Sequence, residues 1–400
     1  MAAFKATSAS IAALAVLICA IVIAKNSDTF LTSFGGRAEY GVNTKWAGHG
    51  SFNNERCWTE PAGMGCEDVK IHDFSSTAFL ACGNPHDRVN FFPPAGRHNP
   101  RPDSKYQEYF IKYDMKSNKT TRLNIDNWDN NQDLVLHGFD IWKPEDNDSQ
   151  MFIYAVNHGR EGESILLFSH DLGTGSLHLM EKYTHPLIKT PNQVTAAGPR
   201  SFFISNDHYY YSGRLRHLEE KYGPFYWASD VVYCEASKAK LDCRVVTPKW
   251  SHAYANGILL IEQGRLLMIN DVVAGTTTIY DVHPVTKMLK HRQTIGIGGL
   301  PDNLSEVSGS GDLIVAVLPN VAQVGGRMFG DDLVKYEVLI EAAVVRLVKA
   351  KNYEPELLYW DDGTLISILT ASAYDPKYHR LISGGVFERH FVVCDIDPGR

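Results

Sequence analysis

The sequence lacks three patterns that would assign it to a common class of binding protein or enzyme. Its 400 residues carry a net charge of −7 without any long Lys/Arg run, which argues against a nucleic-acid partner, because phosphates must be neutralised by clustered cations. No Cys-x-x-Cys spacing occurs, so the cysteines form no pattern typical of a zinc site. No Gly-x-Ser-x-Gly motif follows a predicted strand and precedes a helix, which disfavours a Ser-His-Asp hydrolase. The acidic surplus instead suits a protein that binds metal cations.

Sustained helical periodicity is almost absent after residue 30. Short apolar or alternating runs stand in its place, separated by Gly, Asn, Asp and Pro turns, and this pattern predicts an all-β protein. The predicted strands are Ala78 to Ala81, Tyr109 to Tyr113, Met151 to Val156, Ser201 to Ile204, Val231 to Cys234, Gly257 to Ile261, Leu266 to Ile269, Thr276 to Val282, Leu313 to Leu318, Leu357 to Trp360, Arg380 to Ser383 and His390 to Cys394. Pro93 to Pro102 is predicted to be a loop. Leu333 to Val348 has helical leanings but so many Val and Ile residues that a strand pair is an equal alternative.

No Pro/Ser-rich linker divides these strands. Strands spread evenly over about 370 residues favour one closed, repetitive architecture over two unrelated sandwiches, and we therefore predict a single β-propeller. No internal repeat is strong enough to count the blades from the residues alone.

The N-terminus carries the features of a targeting segment. Lys5 precedes an uncharged stretch from Ala6 to Ala24, which is typical of a secretory signal, with Val22 and Ala24 small enough to precede a cleavage site. The same stretch is just long enough to span a bilayer, so a retained membrane anchor stays open, and a buried core helix is a third alternative. We therefore assign residues 1–30 to a signal peptide or anchor and residues 31–400 to the propeller domain.

The remaining cysteines and two sequons also indicate the secretory pathway. Six cysteines follow the N-terminal segment, an even number that fits disulfides in an oxidising compartment. Asn118 and Asn147 each begin an Asn-x-Ser/Thr sequon in polar, loop-like surroundings. Two cysteine pairs bracket predicted hairpins and could form cross-hairpin disulfides or remain free thiols; they are Cys66 with Cys82 and Cys234 with Cys243.

Polar clusters occur at the edges of the apolar runs. They are Glu67-Asp68, His137-Gly-Phe139, Asn157-His158, Pro191-Asn192, Asn206-Asp207-His208, Ala255-Asn256-Gly257 and Pro301-Asp302-Asn303. Calcium takes six to eight oxygen ligands from carboxylates, Asn amides, backbone carbonyls and water, so these clusters contain the ligands it prefers. Taken alone, Asn256-Gly257 is equally typical of a hairpin turn.

Taken together and in order, these clusters resemble the serum paraoxonase/arylesterase family from Cys57 to Cys394. The stretches that carry the resemblance are GCED at 65–68, LHGFDIW at 136–142, VNH at 156–158, AAGPRSFFISNDHYY at 196–210, YANG at 254–257 and DNLS at 302–305. The resemblance implies a six-bladed propeller with calcium in its central channel. It also implies that the N- and C-terminal strands close one blade and are tied by a disulfide, for which Cys57 and Cys394 are the matching residues.

The resemblance further implies two calcium sites. The residues that match the ligands of the first, near the mouth of the channel, are Glu67, Asn192, Asn256, Asp302 and Asn303. A second, buried calcium would be held by Asp68, by the backbone carbonyl of Phe139 and by a further Asp, but that last position is Gln193 in this chain. An uncharged Gln predicts that the second site is weaker or rearranged.

The family's histidine pair matches His137 and His158. The resemblance implies that His137 takes a proton from water, with His158 as its partner, while calcium polarises the carbonyl of a lactone or aryl ester. Asp207 and His208 are expected either to orient the channel ligands or to form an ordinary turn. The predicted protein is a secretory-pathway enzyme, secreted or membrane-anchored with the propeller on the lumenal side, that acts on a small molecule.

Two other functions stay open at this point. A gluconolactonase or strictosidine-synthase-like propeller would share the fold and related channel residues, although the pairs Glu67-Asp68 and Asp302-Asn303 favour the paraoxonase side. A non-catalytic propeller, with calcium as a structural plug and residues 6–24 in contact with lipid or a partner, would show the same ligand set. Only His137 and His158 argue for chemistry.

Overall fold

A computed structural model describes residues 44–144, 147, 149–238, 240–328 and 333–397. The predicted targeting segment and its alternatives fall on residues 1–30 and lie outside the described residues. Within the described part of the chain, no helix combines the length and the apolar character needed to cross a bilayer.

The described chain is built almost entirely from short strands. In chain order they are β1 (Cys57–Glu60), β2 (Asp68–His72), β3 (Thr77–Cys82), β4 (Phe91–Phe92), β5 (Arg97–His98), β6 (Tyr109–Asp114), β7 (Lys119–Arg122), β8 (Asn124–Ile125), β9 (Leu136–Trp142), β10 (Gln150–Gly159), β11 (Gly162–Asp171), β12 (Ser176–Tyr183), β13 (Pro191–Gly198), β14 (Ser201–Asn206), β15 (Asp230–Ala236), β16 (Leu241–Val245), β17 (Ala255–Ile261), β18 (Leu266–Asp271), β19 (Thr276–Val282), β20 (Leu289–Gly296), β21 (Leu300–Glu306), β22 (Leu313–Leu318), β23 (Ala342–Val348), β24 (Glu354–Asp361), β25 (Leu369–Asp375), β26 (Arg380–Gly385) and β27 (Phe391–Asp395). The described α-helices are α1 (Pro85–Arg88), α2 (Gly213–Tyr222) and α3 (Val321–Met328).

These strands form six blades around a central axis, as predicted. The blades are the sheets β2-β3-β6-β7, β9-β10-β11-β12-β8, β13-β14-β15-β16, β17-β18-β19-β20, β21-β22-β23-β24 and β25-β26-β27-β1. The innermost strands β2, β9, β13, β17, β21 and β25 contact one another in that order, and β25 returns to β2. The ring is therefore closed, and the first strand of each blade is its innermost one.

Burial follows the position of a strand in its blade. Every residue of β18 and β22 is buried, because neighbouring blades cover both faces of the inner strands and select apolar side chains there. The outer strand β16 has no fully buried residue. The second strand of every blade coincides with an apolar run that predicted a strand; these strands are β3, β10, β14, β18, β22 and β26.

The last blade is closed by both ends of the chain. β1 pairs antiparallel with β27, so that Cys57 lies opposite Cys394, and these two residues form a disulfide. The predicted closing bond is confirmed. The two cross-hairpin pairs are also disulfides, Cys66 with Cys82 and Cys234 with Cys243.

The predicted strands coincide with observed strands to within a few residues at either end. Leu333 to Val348 is neither a helix nor a strand pair, because it contributes the single strand β23 after an irregular stretch. Pro93 to Pro102 is mostly irregular, as predicted, with a short 3-10 turn at Pro93–Ala95 and the two-residue strand β5.

Helix α2 was not predicted, because its amphipathic pattern is inverted. Arg216 and Glu219 are buried, whereas Leu215 and Leu218 are 53% and 47% exposed. Glu219 accepts hydrogen bonds from the backbone N–H groups of Tyr209 and Tyr210. A charged face that turns inward gives no apolar period for a sequence-based method to find.

Candidate active site

Five of the six innermost strands carry a register irregularity close to their N-terminal ends, and four of these, on β9, β13, β17 and β21, are β-bulges of the same form. In each bulge two residues of the inner strand face one residue of its neighbour, and the bulged pairs are His137-Gly138 on β9, Asn192-Gln193 on β13, Asn256-Gly257 on β17 and Asp302-Asn303 on β21. Bulges re-aim side chains and interrupt the ladder locally. Five of the nine predicted catalytic and metal-binding residues are therefore at equivalent irregularities around one end of the axis, namely His137, Asn192, Asn256, Asp302 and Asn303.

The hairpin turn considered for Asn256-Gly257 is excluded by this arrangement. Both residues lie inside β17. A Cβ atom added to Gly257 would lie 2.5 Å from the carbonyl oxygen of Asp302, so glycine is needed where β17 and β21 approach each other.

Three oxygens of the predicted calcium ligands are buried without a hydrogen-bond partner. They are Oε2 of Glu67, Oδ1 of Asn192 and Oδ1 of Asn256. A buried acceptor that lacks a donor costs about 1–3 kcal/mol, and such atoms are rare in native proteins. Their concentration at one end of the axis is what a cation ligated by oxygen would relieve.

Neighbouring groups fix the amide orientations of two predicted calcium ligands, Asn192 and Asn303. Asn192 donates its Nδ2–H to Oδ2 of Asp207 at 3.3 Å, and Asp207 in turn contacts Nδ1 of His208 at 2.7 Å. Asn303 donates its Nδ2–H to Oε1 of Glu67 at 2.7 Å. Each amide thus has its nitrogen engaged, which directs the oxygen of Asn192 away from Asp207.

The carboxylates of this site lie close enough to destabilise one another's ionised forms. Burial, followed by the charges of Asp68 and Asp302, raises the pKa of Glu67 well above its usual range. Desolvation raises the pKa of Asp302 to about 8, and the hydrogen bond from Asn256 only partly opposes it. A bound divalent cation would stabilise both carboxylates in their ionised form.

The donor set fits calcium in type and charge. Glu67 and Asp302 supply carboxylates, and Asn192, Asn256 and Asn303 supply neutral amide oxygens, of which Oδ1 of Asn303 already accepts a long hydrogen bond of 3.3 Å from Gln193. In the part of the chain that is described, His, Cys, Asp and Glu side chains do not come together in threes as metal ligands. A cation held here would therefore depend on the Asn amides, which suits a hard ion such as calcium.

The residues predicted for a second calcium also lie together. However, Phe139 and Gln193 each direct a hydrogen-bond donor, and not an oxygen, toward Asp68. Phe139 presents its backbone N–H to Oδ2 of Asp68 at 3.0 Å. Gln193 presents its Nε2–H to the same oxygen at 2.8 Å. Asp68 is 1% exposed, yet neither of its carboxylate oxygens lacks a partner.

The two predicted catalytic histidines form a buried pair beside Glu67. Nδ1 of His137 lies 3.0 Å from Nε2 of His158, and Nε2 of His137 lies 3.4 Å from Oε1 of Glu67. Burial, and then the proximity of His158, lower the pKa of His137 well below its usual range. Burial lowers the pKa of His158 to about 3. Both rings are therefore neutral at pH 7, and each has one nitrogen able to accept a proton.

Glu163 extends this pair and was missed by sequence reasoning. Its Oε2 lies 2.5 Å from Nδ1 of His158, and its other oxygen is buried without a partner. Burial, followed by the charge of Asp207, raises the pKa of Glu163 well above its usual range. The signal was present, because Arg160-Glu161 is a two-residue turn that places Glu163 directly across from His158 in the β10–β11 ladder.

A buried ion pair fixes the strand that carries His137. Arg88 makes two hydrogen bonds to Glu108, at 2.6 and 2.7 Å. Glu108 accepts the backbone N–H of Leu136 at 2.7 Å, and Arg88 donates to the Leu136 carbonyl at 3.1 Å. Both groups are buried and fully paired, and both bind the backbone of Leu136. The pair therefore holds the start of β9, next to His137, in place.

Two segments outside the six blades meet beside the histidines. They are residues 93–102 and residues 211–222, which include α2. The hydroxyl of Tyr211 donates to the Gly159 carbonyl at 2.6 Å, next to His158. Arg216 of α2 donates to the Pro93 carbonyl at 3.1 Å. These segments contact each other and the β10–β11 turn, and therefore lie beside the two histidines.

Comparisons with known proteins identify the family of this chain. Residues 94–396 match the family model described as Arylesterase. The chain is 27% identical to serum paraoxonase/arylesterase 2 of Gallus gallus, over 81% of this chain and 84% of that protein. It is 30% identical to serum paraoxonase/arylesterase 1 of Mus musculus, over 65% of this chain and 68% of that protein.

Among solved structures, the chain is similar in fold to the major Malassezia sympodialis allergen Mala s 1. The TM-score is 0.50 at 10% identity, over 86% of this chain and 96% of the other. The propeller fold is therefore shared well beyond close relatives, while the sequence matches specify the family. The chain belongs to the arylesterase family and is a hydrolase built on a six-bladed propeller.

Proposed function

We propose that the protein is a calcium-dependent hydrolase of lactones, aryl esters or both. The observation that carries this proposal is the set of partnerless buried oxygens on Glu67, Asn192 and Asn256, placed beside the histidine pair. Together with Asp302 and Asn303 these residues would hold one calcium. When bound, calcium would polarise the ester carbonyl and stabilise the oxyanion that develops on it.

His137 is the general base in this proposal. Its Nε2 lies 3.4 Å from Oε1 of Glu67, one of the proposed calcium ligands. A water molecule beside the calcium would therefore be close both to this base and to a substrate carbonyl polarised by the calcium. Because the ring is neutral, Nε2 can accept the proton of water as its oxygen attacks the carbonyl carbon. The tetrahedral intermediate then expels the alkoxide or phenoxide, which takes a proton back from the histidine.

His158 and Glu163 position the base and share its charge. With Glu163 ionised, its Oε2 accepts the Nδ1–H of His158, so Nε2 of His158 accepts the Nδ1–H of His137, and Nε2 of His137 keeps its lone pair. Since burial raises the pKa of Glu163, moving a proton toward this carboxylate costs less than it would at an exposed one. The pair resembles the general arrangement in which a third group orients a catalytic histidine.

The test is hydrolysis of a panel of lactones and phenyl acetate by the full-length protein, with calcium and with a chelator. We expect activity on at least one substrate class, lost on chelation and restored when calcium is returned. Activity that survives chelation, in protein shown by metal analysis to be calcium-free, would contradict the calcium mechanism. If folded, calcium-loaded protein hydrolysed no substrate, the non-catalytic propeller would be favoured instead.

We also propose that the protein passes through the secretory pathway. The serum paraoxonases named above are relatives, six cysteines pair as three disulfides, and both sequon asparagines, Asn118 and Asn147, are exposed. We expect protein expressed in eukaryotic cells to lose mass on treatment with an N-glycosidase, and to lose that sensitivity when both asparagines are changed to Gln. Unglycosylated protein with reduced cysteines in the cytosol would contradict this assignment. N-terminal sequencing of the same material distinguishes a cleaved signal from a retained anchor.

A further inference from the structure

Lys70 brings a positive charge into the core beside the predicted second calcium site. It is the third residue of β2, on the same face of the strand as Asp68, and is 6% exposed. Its Nζ lies 3.0 Å from Oδ1 of Asp68 and donates to the Leu304 carbonyl at 3.1 Å. A lysine is almost never buried to this degree unless its charge is paired.

The contacts of Lys70 complete the hydrogen bonding of Asp68. Oδ1 accepts from Nζ of Lys70 and from the backbone N–H of Val69, at 3.0 and 2.8 Å. Oδ2 accepts from Phe139 and Gln193, at 3.0 and 2.8 Å. An ionised carboxylate has about four acceptor positions, so Asp68 has none left for a metal. Glu67, the preceding residue, retains a partnerless oxygen.

The orientation of Gln193 directs its amide nitrogen, and not its carbonyl oxygen, toward Asp68. Oε1 of Gln193 accepts the backbone N–H of Val194 at 2.8 Å, and an amide that accepts there must direct its nitrogen the other way, toward Asp68. A Cβ atom added to Gly138 would lie 2.1 Å from this Oε1. Glycine at position 138 therefore leaves the space that the Gln193 amide occupies.

The charges around Asp68 also argue against a second calcium. A site with two carboxylates needs a divalent cation, but the pair of Asp68 and neutral Gln193 carries one negative charge. The ammonium of Lys70 neutralises that charge. The same ammonium also lowers the pKa of Asp140, a carboxylate on β9 whose pKa is raised chiefly by burial.

We infer that Lys70 is a built-in cation that takes the place of the second calcium, joining β2 to β21 through Asp68 and the Leu304 carbonyl. The protein then needs at most one calcium, at the first site, and the stability of this part of the core does not depend on the metal. The inference goes beyond the proposed function, because it concerns the number of cations and the folding of the chain rather than the reaction.

The test compares the full-length wild type with Lys70→Met, Gln193→Asp and the double variant. Calcium ions per folded chain are counted by native mass spectrometry at fixed free calcium, and thermal unfolding is followed with calcium and with a chelator. We expect one calcium in the wild type and one more in the double variant, whose two carboxylates lack the ammonium. We also expect Lys70→Met to lower the Tm by about 5 °C with or without calcium, because Asp68 is left buried without its counter-charge.

A lysine of the same blade provides the control. Lys112 on β6 interacts with a backbone carbonyl of the neighbouring blade, and we expect Lys112→Met to change neither the calcium count nor the calcium dependence of the Tm. Gln193→Asp alone, with Lys70 retained between two carboxylates, should also gain no calcium.

The possible calcium counts separate this inference from the proposed function. Two calcium ions in the wild type, or no gain in the double variant, would overturn the role of Lys70. No calcium in the wild type with one in the double variant would support that role while contradicting the proposed first site. If the double variant folds only when calcium is added, that dependence itself supports the inference, and the wild-type count remains decisive.

Discussion

His137→Gln is expected to lower kcat/KM by about 10²–10⁴-fold while calcium remains bound, because the side chain that accepts the proton of water is lost. Glutamine preserves a polar side chain of similar length but cannot accept a proton. Glu163→Gln is expected to cost less, about 10–100-fold, since the base remains and only its orientation and charge are affected. The measurements are kcat and KM on the best substrate of the panel, together with calcium affinity by calorimetry.

The matched control is another buried histidine of the same blade. His170 on β11 is 2% exposed and contacts the Ser176 carbonyl at 2.7 Å, far from the axial residues. We expect His170→Gln to keep its calcium affinity and most of its activity, even if its stability falls. Calcium-loaded His137→Gln that retained more than about a tenth of wild-type kcat/KM would assign the base to another residue. A Glu163→Gln effect confined to KM would contradict the positioning role, since orientation of a base acts on kcat.

The second strand of every blade was predictable from the sequence because it is covered on both faces. Runs such as Leu313–Leu318 are covered on both faces, so apolar character alone marks them. Helix α2 was not predictable in this way, because its buried Arg216 and Glu219 reverse the usual rule that charged side chains face the solvent. One partner of Arg216, the Pro93 carbonyl, lies more than 100 residues away in the sequence, and no local pattern encodes such a contact.

The residues of the candidate site could be named from the sequence, but their geometry could not. Resemblance to a family identified Asn192, Asn256 and Asp302, but the residues alone could not distinguish a hairpin turn from a bulge, because Asn-Gly is favoured in turns and glycine is also favoured in bulges. Sequence analysis predicted that Gln193 leaves the second site weaker or rearranged. That its amide nitrogen faces Asp68 depends on one backbone N–H, which only the structure reveals.

Asn256→Ala is expected to weaken calcium binding by at least about 100-fold, because one of five protein ligands is removed and a buried amide position is left without an oxygen. Activity should disappear at low calcium and return in part when calcium is raised. Such recovery would show that Asn256 acts through the metal rather than on the substrate. Calorimetric titration with calcium, and activity measured as a function of free calcium, check both expectations.

Two further substitutions define what the Asn256→Ala result means. Asn256→Asp keeps an oxygen at the same place and adds charge, so it should retain calcium binding. Asn206 is also a buried Asn, but its Oδ1 already accepts the backbone N–H groups of Lys189 and Thr190, so Asn206→Ala should lower stability and leave calcium affinity unchanged. If Asn256→Ala and Asn206→Ala weakened calcium binding equally, the effect would be general loosening of the inner strands. A loss confined to Asn256→Ala, reversed by Asn256→Asp, requires that the partnerless oxygen of Asn256 be a ligand.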